Sequence, residues 1–84
     1  MSNIVSVTEN EWMTYFGEHL RELIADRGLT QYEVADASGI SEASISCYIR
    51  GIRMPTAKAI INLALILEVD TDELLLRDYY DRIK

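Results

Sequence analysis

Three cations, Arg50, Arg53 and Lys58, fall within nine positions of a chain that is otherwise acidic. Guanidinium and ammonium groups clustered in this way are suited to one kind of chemistry, contact with phosphate. The other reactive side chains stand alone. Cys47 is the only cysteine, so neither an intrachain disulfide nor a thiolate cluster for zinc or iron can form. No basic residue in the turn before it favours a reactive thiolate. His19 is the only histidine and has no cysteine or second histidine at metal-ligand spacing, so it reads as a partly exposed surface residue. There is no Ser-His-Asp set and no glycine-rich phosphate loop, and the carboxylates are spread over what should be solvent faces. No enzyme, metal or cofactor is expected.

The chain of 84 residues has room for one core, and a domain of this size buries only ~60% of its unfolded surface, so it depends on efficient packing. Its 49% hydrophobic and 26% charged residues are those of an ordinary globular protein. The first ten residues hold neither a basic leader nor a sustained apolar run, and the most apolar stretch, 59–67, is short and interrupted by Asn62. The expectation is a protein of a reducing cytoplasm, neither exported nor embedded in a membrane. The net charge of −6 argues against a nucleic-acid binder, but its distribution softens the objection. Residues 1–26 carry net −4 and residues 59–84 net −3, whereas residues 27–58 carry net +1 and contain all three clustered cations.

The elements that must position these cations can be read from their caps. Thr8 with Glu11 makes a candidate capping box, and Trp12, Phe16, Leu20, Leu23 and Ile24 then recur at helical spacing until Gly28. Tyr15 should join Trp12 and Phe16 in the core. Thr30 with Glu33 repeats the box and predicts a short second helix from Gln31 to about Ala37, with Val34 and Ala35 inward. Gly39 permits a tight turn, Ile40 plugs the corner, and Ser41 caps a third helix over 42–50 that Gly51 closes. Thr56 opens a fourth helix lined by Ile60, Leu63, Ala64 and Leu67, and Thr71 should cap a short fifth carrying Leu74 and Leu75. Two short helices joined by a glycine turn form a helix-turn-helix signature. The reading is an all-α, five-helix single domain over 1–84, with its core at about 9–76, the helix-turn-helix at about 30–50 and a tail at 77–84. Tyr79 and Tyr80 in that tail would suit a subunit interface.

Gly28-Leu29-Thr30-Gln31, Val34-Ala35, Gly39-Ile40-Ser41, Ile45-Ser46, Gly51, Pro55 and the run from Val69 to Leu75 together resemble the phage repressor and Cro-like (XRE-type) helix-turn-helix family, with a lambda-repressor-like fold, over roughly residues 16–76. The resemblance implies a second helix that crosses the DNA backbone and a third that lies in the major groove. Glu42, Ala43 and Cys47 match the family's base-facing positions, with Ser46 beside them. Gln31, Ser41, Ser44, Arg50, Arg53, Thr56 and Lys58 are placed for phosphate. One departure is that an Arg and a Glu, paired in many members, are here Ile24 and Ile49. Replacing both partners of a buried ion pair by apolar groups is commonly tolerated. Another is that the third helix offers no Arg, Lys, Asn or Gln before Arg50 for bidentate contacts to guanine or adenine.

The resemblance implies a bacterial or phage-encoded, sequence-specific transcriptional regulator of the repressor kind, bound as a homodimer to a palindrome in double-stranded DNA. The second function class is an antitoxin-like or other interaction module that keeps the fold, binds DNA weakly or not at all, and docks a basic protein partner through its acidic flanks.

Overall fold

The structure is a computed structural model that describes residues 8–76, and it contains α1 (Glu9–Asp26), α2 (Gln31–Ser38), α3 (Glu42–Ile49), α4 (Ala57–Leu67) and α5 (Thr71–Leu75). No strand occurs among the described residues, so the fold is all-α as expected. The expectations for Tyr79, Tyr80 and the rest of the tail lie outside the described residues. No helix among the described residues is long and apolar enough to cross a membrane.

Both capping boxes form. Thr8 Oγ1 accepts from the Glu11 amide and Thr30 Oγ1 from the Glu33 amide, while each glutamate accepts from the amide of its own cap. Four otherwise orphaned or marginal donors are thereby satisfied at the starts of α1 and α2. The end of α1 is closed by Gly28 N–H donating to Ala25 O and Leu29 N–H to Ile24 O. The same pair of bonds closes α3, from Gly51 to Tyr48 and from Ile52 to Cys47. Two boundaries differ from expectation. α3 ends at Ile49, with Arg50 as its cap. The cap of α5 is Asp70, not Thr71, and Asp70 makes no side-chain cap bond.

The core is a single cluster built around Phe16, Leu20, Val34, Ile45, Leu63, Leu67 and Leu74, each essentially fully buried. Trp12, Leu23, Ile40 and Ile60 pack against it half-buried, and Tyr15 is also buried, so the expected stripes of α1, α2 and α4 all face inward. Ile24 is buried and Ile49 half-buried in contact with the same cluster. Apolar packing therefore occupies both positions where many relatives place an ion pair.

Gly17 is a feature the apolar stripe does not reveal. It is buried in α1 where α3 passes so close that a Cβ would stand less than 3.0 Å from the carbonyl oxygens of Tyr48 and Ile49. A second is the tie between the first and last helices. Trp12 donates from Nε1 to Leu75 O (2.9 Å), and His19 donates from Nε2 to Glu73 O (2.8 Å) while stacking on Tyr15. His19 is thus a half-buried bracket between α1 and α5, engaged in a way its isolation in the sequence did not suggest. Glu68, the cap of α4, has φ 57°, and Arg27 bonds its carbonyl (3.2 Å) and pairs with its carboxylate (3.6 Å). Those contacts help hold a non-glycine residue in a left-handed conformation that L side chains disfavour.

Candidate nucleic-acid interface

α2 and α3 are joined by a turn in which Gly39 has φ 74°, a conformation glycine adopts without steric cost. Ser38 fixes the turn from one side, accepting at Oγ from the Ile40 amide (3.2 Å), and Asn62 of α4 donates to the Ser38 carbonyl (3.2 Å) from the other. Ile45 and Tyr48 point into the core and set the rotation of α3. At 100° per residue, Glu42, Ala43, Ser46 and Cys47 then fall within an arc of about 140° on the opposite side. Glu42 and Ala43 are exposed, and Ser46 and Cys47 are half-exposed. All four expected base-facing residues therefore share one outward face of α3.

Arg50 falls in the middle of that arc and lies back along it, its Nη2 3.7 Å from Cys47 Sγ. The cation missing from the turn before Cys47 is supplied by the turn after it.

The polar residues expected to meet phosphate divide into two groups. Ser41, Ser44, Thr56 and Lys58 line one recess between the start of α3 and the start of α4, with Asn62 and Tyr48 behind them. Ser41 Oγ caps α3 by accepting from the Ser44 amide (3.1 Å) and donates to Ser44 Oγ (2.9 Å). Arg53 donates to the same Ser44 oxygen from Nη1 (2.9 Å), which brings its guanidinium to the edge of the recess. Thr56 Oγ1 caps α4 through the Ala59 amide (3.1 Å). Two helix N-termini, two cations and three hydroxyls converge there, an arrangement suited to anion oxygens. Gln31 stands apart, exposed at the first position of α2 beside a different cleft lined by Arg21, Leu29 and Ile49. Of the four bases in residues 27–58, Arg27 is engaged with Glu68, leaving Arg50, Arg53 and Lys58 along this side of the molecule.

The family model for the helix-turn-helix matches residues 20–74. The chain is 38% identical over 60 residues to the HTH-type transcriptional regulator YqaE of Bacillus subtilis, a match spanning 71% of this chain and 52% of that protein. The chain thus covers about half of that relative's length. Among solved structures it is similar to the restriction-modification controller protein C.AhdI from Aeromonas hydrophila, with 34% identity, a TM-score of 0.72, and 74% of this chain and 94% of that chain covered. The hypothetical transcription factor NHTF from Neisseria shares the fold, with a TM-score of 0.77 at 20% identity over 98% of this chain and 94% of that one. In the order of its helices, its glycine turn and the span of the match, the chain belongs to the XRE-type helix-turn-helix family.

Proposed function

We propose that the protein is a DNA-binding transcriptional regulator that reads double-stranded DNA through the outward face of α3 and occupies its site as a homodimer. The observation that carries this reading is the rotation of α3. Burial of Ile45 and Tyr48 leaves Glu42, Ala43, Ser46 and Cys47 as one continuous outward face, flanked by the cationic recess. The regulator YqaE and the controller C.AhdI, by their descriptions, support the same class of function. Glu42 accepts from a cytosine amino group, the Ala43 methyl meets a thymine methyl, and Ser46 and Cys47 complete the contact. Gln31, Ser41, Ser44, Arg50, Arg53, Thr56 and Lys58 hold phosphates and fix the register. One α3 spans too few base pairs to discriminate a site among competitors, so two copies read a palindrome.

Selection of bound sequences from a random duplex pool at two salt concentrations tests the reading. The expected result is a palindromic motif with half-site centres about 34–36 Å apart, recovered more weakly at higher salt. If folded protein selects no motif even at low salt, the reading fails, and docking of the acidic flanks on a basic protein replaces it. In the same selection, Glu42→Gln is expected to change the preferred base at one position per half-site by about 1–3 kcal/mol. An unchanged preference profile would remove Glu42 from the reading face.

A further inference from the structure

We infer that residues 77–84 of this chain fold back into the apolar cleft between α1, α5 and the start of α4 and cover it, an inference that does not depend on DNA binding. The cleft has a volume of about 410 Å³ and is walled by Trp12, Met54, Ile60, Leu75 and Leu76, with Thr8 and Glu9 at its rim. Met54 is 40% exposed and Leu76 45% exposed. Trp12 stacks on Phe16 (centroids 4.9 Å apart) and its Nε1 is engaged by Leu75 O (2.9 Å), so its polar atom is satisfied and the cleft meets only hydrocarbon from it. Single exposed hydrophobics need no explanation, but several gathered around one concavity do.

Position selects the occupant. Leu76 is part of the cleft wall, so residue 77 starts at the edge of the cleft. Leu76 departs from helical geometry (φ −143°, ψ −27°), and the axis of α5 therefore does not dictate the course of the chain beyond it. Pattern agrees with position. Tyr79, Tyr80 and Ile83 follow Leu76 at helical spacing and make one apolar stripe, with Arg77, Asp78, Asp81 and Arg82 off it. Each tyrosine buries about 150–250 Å² through an apolar ring while its hydroxyl stays in water, which suits a cleft open on one side. Charge agrees as well, since residues 77–84 carry net +1 and the one charged side chain lining the cleft is that of Glu9. Residues 1–7 also adjoin the cleft, at Thr8, but they bring neither an aromatic ring nor a cationic side chain.

The same segment of another copy is the weaker competitor. Attachment at the edge of the cleft gives the chain's own segment an effective concentration in the millimolar range. Two chains of net charge −6 repel each other before they meet. With residues 77–84 in place the cleft is closed to other proteins, and solvent meets Arg77, Asp78, Asp81 and Arg82 there in place of Trp12 and Met54.

The test uses the full chain without DNA. Trp12 is the single tryptophan, so its fluorescence reports on the cleft directly. The double variant Tyr79→Ser, Tyr80→Ser is expected to move its emission to longer wavelength, to make it more easily quenched by acrylamide, and to lower the thermal midpoint by about 4–8 °C. Helical circular dichroism at low temperature should persist, because the core of the described residues is untouched. Met54→Asp, which sets a charge on the cleft wall, is expected to give the same change in quenching. Nuclear Overhauser contacts in a mixture of isotope-labelled and unlabelled chains then identify the occupant, and those expected run from the Trp12 ring to Tyr79 or Tyr80 within one chain. Contacts found only between chains assign the cleft to a second copy, and contacts to Ile4, Val5 or Val7 assign it to residues 1–7. Fluorescence unchanged in both variants, with no such contact, means an open cleft. Each of these last three results overturns the inference, and none of them bears on whether the protein selects a duplex.

Discussion

Gly17→Ala is expected to destabilise the protein by about 3 kcal/mol, lowering its thermal midpoint by about 12–24 °C for a domain of this size. In an exposed helix the same change is favourable by up to ~1 kcal/mol, since alanine has the higher helix propensity. Its sign is reversed here because the added methyl meets the Tyr48 and Ile49 carbonyl oxygens at less than 3.0 Å. Those atoms are backbone in the last turn of α3, and Tyr48 and Ile45 of that helix are already committed to the core. No flexible side chain can yield, so α1 and α3 must separate and the contacts of Phe16 and Leu20 loosen with them. Thermal unfolding followed by circular dichroism decides the matter. A midpoint equal to or above that of the parent would mean that α1 and α3 lie further apart than described.

Arg53→Ala is expected to weaken DNA binding by about 10–100-fold, the loss of a charge-assisted contact of ~1.5–3 kcal/mol. The slope of log affinity against log salt should fall by ~0.9, one released counterion. The structural reason is preorganisation. Ser44 holds the Arg53 guanidinium at 2.9 Å, and Ser44 is itself held by Ser41, so little side-chain freedom remains to be lost when phosphate arrives. In a chain of net charge −6 with three cations on this side, one of them is a large share of the attraction. Arg53→Lys should keep the salt slope but not the full affinity, because an ammonium lacks the planar fork. Anisotropy titrations on the selected duplex across a salt series measure both quantities. Unchanged affinity and slope would exclude Arg53 from the phosphate contact, and a loss confined to particular base sequences would move it to the reading face.

What the sequence made legible follows the range of the interactions involved. The capping boxes at Thr8 and Thr30 depend on residues three apart, so both could be read directly. Gly17 could not, because an apolar stripe is silent at glycine and the reason for this one lies in the carbonyls of another helix. His19 found its partner 54 residues away, which no local pattern encodes. Near α5 the run Asp70-Thr71-Asp72 offers two capping residues in succession, and the choice between them is made where tertiary contacts hold so short a helix. In the site, the outward face of α3 was reached only through the resemblance to the family, and the burial of Ile45 and Tyr48 supplies its physical reason. The Arg53–Ser44 bond was not reached at all, because it depends on the path of the loop between α3 and α4, anchored by the buried Pro55.

The bonds from Trp12 to Leu75 and from His19 to Glu73 span 63 and 54 residues. α5 is too short to persist unaided, and these two bonds hold it on α1, the first described helix. On the ribosome, α1 is made first yet cannot complete its contacts until nearly the whole of the described chain has followed it. Assembly is therefore paced by closure of its longest loop.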